Sequence, residues 1–135
     1  MITASEVKRR TGGTGPMPLL TLDEFFEGNT DEECIGPNQW GYGRPPIAEL
    51  AARLREIDQR EDVVWTRVQL HPRTAETASG TLAAEGIAVC TYAEEEVCAQ
   101  WVDGFEADVF LGLADCYCEV PKVPEGTAIW SVVWE

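Results

Sequence analysis

The chain has 135 residues, of which 44% are hydrophobic and five are tryptophan, and it carries a net charge of −14. That length suits a single self-supporting domain burying about two thirds of its unfolded surface, and the apolar content excludes wholesale disorder. The charge excludes nucleic-acid phosphates and anionic lipid as favoured partners, because both would be repelled; it serves solubility or a salty setting on one reading and attraction of a basic protein on the other, and charge alone does not decide between them.

The charge is unevenly spread: residues 74–135 carry −11 and residues 17–43 carry −6, whereas residues 44–73 carry +1. Residues 1–16, rich in Gly and Thr and holding the basic triplet Lys8, Arg9 and Arg10, are expected as a disordered tail, with Met17 as an alternative start. Residues 17–135 are then one α+β domain. The N-terminus lacks an apolar leader core and no run approaches the roughly 18 apolar residues of a membrane span, so a cytoplasmic protein without a membrane segment is expected. Cys34, Cys90, Cys98, Cys116 and Cys118 make an odd set, which fits free thiols better than a disulfide framework.

In chain order, Leu19 to Gly28 predicts a short helix. Thr21 is its N-cap, Glu24 the capping-box partner, Phe25 and Phe26 its anchors, and Gly28 its stop. Residues 29–44 form a long Gly/Pro/Asn-rich loop carrying Asp31, Glu32, Glu33, Trp40 and Tyr42. Aromatics beside carboxylates on a loop match the composition of protein interfaces, and the acidic triplet lacks the alternating oxygen ligands and central Gly of a calcium loop.

Ile47, Leu50, Ala51, Leu54 and Ile57 lie on one helical face behind Pro45 and Pro46, and Val63 to Leu70 reads as a strand immediately after. This helix and strand are the pair on which the rest should pack. A polar excursion follows His71-Pro72, and then Gly86 to Tyr92, apolar on both faces, predicts a central strand. Thr91 and Glu94 suggest a second capping box. They open a long helix with Glu94, Glu95 and Glu96 at its start, a buried stripe of Val97, Cys98, Trp101, Val102 and Phe105, and Gly104 near its end. The run from Val109 to Leu113 fits either a short strand or a helical turn. Thr127 to Trp134 predicts a last strand, apolar on both faces and therefore interior or paired with a partner. The sum is an α+β fold: a mainly antiparallel sheet of three to four strands with two main helices packed on one face.

Chemical motifs are sparse. Cys116-Tyr-Cys118 lacks the second ligand pair that structural zinc requires, so no metal and no cofactor is expected. His71 is the sole histidine, which confines any Cys–His chemistry to a pairing such as His71 with Cys34. No phosphate-binding loop, nucleophile elbow or metalloprotease helix occurs.

The stretch from Leu20 to Asn38, LTLDEFFEGNTDEECIGPN, together with the closing GTAIWSVVWE, resembles a group of small acidic uncharacterised bacterial proteins, some of them candidate toxin-immunity proteins. The resemblance implies a compact α+β protein that binds another protein and transfers no catalytic residue. The leading expectation is therefore an acidic binding module, of an immunity or regulatory-inhibitor type, that engages a basic protein through Asp31, Glu32, Glu33, Trp40, Tyr42, Glu94, Glu95 and Glu96. Two alternatives stand beside it: a small enzyme or ligand-binding protein with a site under the 29–44 loop, and a structural homodimer joined through the C-terminal strand.

Overall fold

The computed structural model describes residues 2–12, 16–32, 34–36, 44–71, 82–114 and 116–134. Its elements are α1 (Ala4–Thr11), β1 (Met17–Pro18), α2 (Leu22–Phe26), α3 (Ile47–Asp58), β2 (Val63–Leu70), β3 (Ala84–Thr91), α4 (Glu95–Trp101), β4 (Asp108–Leu111), β5 (Tyr117–Cys118) and β6 (Ala128–Val133). The fold is α+β.

The predicted helix and strand form as a packed pair, with β2 as an outer strand of the sheet. Every expected apolar residue of α3 is buried, and the helix packs on β2. Four strands form an antiparallel sheet in the order β2-β3-β6-β4, so the two strands read as apolar on both faces, β3 and β6, are the interior ones. With β3 on one side and β4 on the other, β6 has no free edge to offer a second copy.

One face of the sheet carries the main core, where Val68, Ile87, Val89 and Val132 meet Phe25, Leu50 and Leu54 from the helices. The opposite face carries a smaller core of Leu19, Trp65, Ala88, Cys90 and Tyr117, roofed by the short parallel pair β1–β5. Tyr117 is fixed there by its hydroxyl, which donates to the Leu70 carbonyl at 3.3 Å and contacts the Glu85 carboxylate. Burial, followed by the hydrogen bond to Glu85, pushes the Tyr117 phenol up.

Gly86 is required by close approach. A Cβ built on it would lie 2.8 Å from both Gln69 Oε1 and the Val132 carbonyl oxygen. Its bare backbone leaves room for the Gln69 side chain to cross β3 and donate through Nε2 to Ser131 Oγ at 2.8 Å, and Ser131 donates in turn to the Gly112 carbonyl at 2.6 Å. This buried chain of hydrogen bonds joins β2 to the turn after β4 and satisfies polar groups that would otherwise be costly inside.

The N-terminal segment departs from the expected tail. Thr3 caps α1 by accepting from the Glu6 amide at 3.1 Å, Gly12 closes it at φ 69°, and Val7 is only 1% exposed in the main core. The basic triplet lies in the last helical turn, where cations complement the helix dipole. Arg10 then pairs with Glu24, the capping-box residue of α2, and lies 3.9 Å from Glu119. A helix of this length gains little from propensity alone, so burial of Val7 and the Arg10 pairing carry it.

The capping box of α2 forms as the sequence implies, with Glu24 N donating to Thr21 Oγ1 at 3.1 Å and Thr21 N to Glu24 Oε1 at 2.9 Å. The second predicted capping box does not form. Thr91 Oγ1 donates to the Asp62 carbonyl and accepts from Ala93 N at 3.0 Å, leaving Glu94 as the N-cap of α4. That helix is also shorter than expected, with seven residues. Cys98, Val102 and Phe105 are buried, but Val97 is 37% exposed and leaves the predicted stripe. The end of α4 is held by Arg53 from α3, whose Nη2 donates to the Trp101 carbonyl at 3.0 Å, and by Trp134, whose Nε1 donates to the Phe105 carbonyl at 2.7 Å. Among the described residues no helix is long and apolar enough to cross a membrane.

Candidate functional site

The acidic start of α4 is where expected site residues, aromatic rings and a concavity coincide. β3 ends at Thr91, and the turn after it is pinned to the start of β2, with Tyr92 N donating to the Asp62 carbonyl at 2.9 Å. From the neighbouring strand β6, Trp130 Nε1 donates to the Ala93 carbonyl at 3.0 Å. The turn is thus held from two sides while the Tyr92 ring stands outward, 57% exposed. Gly126, at φ 86°, passes beneath it, and a Cβ there would lie 3.7 Å from the Tyr92 ring.

Glu94, Glu95 and Glu96 follow at once and are all exposed. Thr91 to Glu96, Gly126 to Ala128 and Trp130 line a shallow groove of about 360 Å³. Its charged groups are those three carboxylates. Carboxylates attract a cation over distance, and an aromatic face gives it a place to rest, so the groove suits a Lys or Arg side chain on a protein surface.

The other expected site residues are placed elsewhere. Glu32 Oε1 accepts from Ile47 N at 2.9 Å and supplies the cap that Pro46, the N-cap residue of α3, has no side chain to provide. Arg44 donates to the Glu32 carbonyl, so Glu32 organises the entrance to α3, while Asp31 N donates to Asn29 Oδ1 at 3.0 Å within its own turn. Glu33, Trp40 and Tyr42 lie outside the described residues.

Cys34 is buried, and Asn29 Nδ2 donates to its sulfur at 3.4 Å. Burial pushes its thiol up to about 11, which leaves little thiolate at neutral pH. Cys98 is likewise raised to about 11 by burial. Cys116 is exposed and Cys118 is half-buried, with its sulfur 3.5 Å from the Pro16 carbonyl oxygen. Among the described residues no three His, Cys, Asp or Glu gather closely enough to hold a metal ion.

Sequence reasoning found the glutamates of the groove and missed its rings. In the sequence Tyr92 marks only the end of one strand and Trp130 lies within another, because their meeting depends on β6 lying against β3. No curated protein and no solved structure matches the chain. Over residues 2–132 it matches the Uncharacterized protein YfbO family, to which it therefore belongs.

Proposed function

We propose that this chain is an acidic protein-binding module that covers a basic surface of a partner protein, as an immunity-type or regulatory inhibitor would. The observation that carries the reading is the groove at the start of α4, where the exposed ring of Tyr92 stands beside Glu94, Glu95 and Glu96 on a turn anchored by Trp130. Rigid aromatic side chains supply contact area at small entropic cost, while the carboxylates steer encounter and select the sign of the partner. The net charge of −14 adds a long-range component of the same sign.

Affinity capture from native host lysate tests this reading when wild type is run beside Tyr92→Ala and the triple variant Glu94→Gln, Glu95→Gln, Glu96→Gln. Retention of a basic protein by wild type, and its loss in both variants and in raised salt, is the expected pattern. Capture of equal strength by all three proteins contradicts it.

A further inference from the structure

β4 ends the sheet on the side away from β2, and its outer edge has no pairing partner among the described residues. Its ladder with β6 is unbroken, from Asp108 opposite Val133 to Leu111 opposite Trp130. Gly112 N donates to the Ile129 carbonyl at 2.8 Å, so the pairs that exchange hydrogen bonds with β6 fall at Gly112, Phe110 and Asp108. The intervening residues, Val109 and Leu111, turn their N–H and C=O groups outward. β4 is short and carries the single charge of Asp108, but it contains no proline, no lysine and no bulge, so nothing on it blocks or repels a basic strand. Instead it exposes apolar side chains, Phe110 at 46% and Leu111 at 72%.

On the helix side, a shelf of about 440 Å³ runs between α4 and β4, lined by Glu95, Ala99, Asp103 and Val109 among others. No Lys or Arg lines it. Glu95 borders both this shelf and the groove at Tyr92, so the two concavities share a wall. Leu111 in turn lies directly opposite Trp130 across the ladder.

We infer that the outer edge of β4 is a strand-addition site for an extended basic segment of a partner protein, whose outward Val109 and Leu111 backbone groups pair with that segment while its cationic side chains lie along Glu95 and Asp103. The inference rests on the basic-partner reading above and specifies the mode of contact. Strand addition derives affinity from main-chain hydrogen bonds and specificity from alternate side chains. A second copy of this chain is a poor occupant, because self-pairing would bring two acidic shelves together.

Amide hydrogen exchange on the full chain, read by NMR, tests the inference. The probe is an acetylated, amidated heptapeptide of alternating Lys and Val, and the control is the same peptide N-methylated at alternate residues. The expected result is slowing of exchange at Val109 and Leu111 by about tenfold or more with the probe and none with the control. Leu111→Pro removes an outward N–H without removing a ladder bond, an edge position where proline is tolerated, and should abolish the effect. Leu111→Lys, which keeps the backbone and opposes the cations, should weaken binding about tenfold and serves as the second variant.

Three results overturn the inference. Salt-sensitive binding with shifts confined to residues 92–96 and no change at Val109 and Leu111 ends it while leaving the basic-partner reading standing. An absence of shifts anywhere removes both. Slow exchange at Val109 and Leu111 in the free protein, deepening with its concentration, assigns the edge to a second copy.

Discussion

The indole of Trp130 and the carbonyl of Ala93 meet at 3.0 Å, and this bond fastens the turn that displays Tyr92 to the middle of the sheet. Trp130→Phe keeps a ring and removes the donor. The loss of one partly buried hydrogen bond should lower unfolding free energy by about 1 kcal/mol in urea, with an unchanged denaturant slope. Partner capture should weaken as well, since the turn loses one of its two anchors.

Gly86 gives a sharper stability test. Gly86→Ala forces a methyl group to within 2.8 Å of Gln69 Oε1, which can move, and of the Val132 carbonyl oxygen, which belongs to the ladder and cannot move freely. A cost of about 1–3 kcal/mol is expected, the range for overpacking a filled interior. Denaturant titration reads it, and an unchanged midpoint would mean that β3 and β6 lie farther apart than described.

The pairing of Arg10 with Glu24 sets a pH dependence. Burial pushes the Glu24 carboxyl up, but hydrogen bonds from the Arg10 guanidinium and the Thr21 amide outweigh it and hold the group below its usual value. The folded state therefore binds fewer protons than the unfolded state between the lowered and ordinary carboxyl values. The stabilisation is complete above the ordinary value and is lost as pH falls through the lowered one. Melting temperature should drop as pH falls below the ordinary carboxylate range, and Glu24→Gln should be less stable at pH 7 while losing less on acidification.

Thiol labelling separates the cysteines. Cys116 is exposed, whereas Cys34 and Cys98 are buried with thiols raised to about 11, so an aromatic disulfide reagent should modify Cys116 first. Cys34 and Cys98 should react only on the timescale of unfolding. Rapid modification of Cys34 in native protein would contradict its burial.

Much of the fold was legible because local and global preferences agree. The five buried positions of α3 repeat at helical spacing, β6 is apolar on both faces as an interior strand must be, and Thr21 and Glu24 carry their capping box in plain sequence. The misreadings fall where tertiary contacts decide. α1 has few apolar residues of its own and depends on the burial of Val7 and on a partner in α2. Thr91 has the composition of a cap, yet its hydroxyl is taken by the Asp62 carbonyl. β4 is set by its ladder with β6, which no local pattern encodes. The groove followed the same rule, since its glutamates form a run in the chain while Trp130 arrives beside them only through sheet topology.

The most direct test of the binding role is calorimetric titration of the captured partner with wild type and with the triple glutamine variant at low and at physiological salt. The account predicts wild-type affinity falling by about tenfold or more as salt rises, with the variant weaker at low salt and nearly insensitive to it. Equal affinities for the two proteins, unmoved by salt, would contradict it.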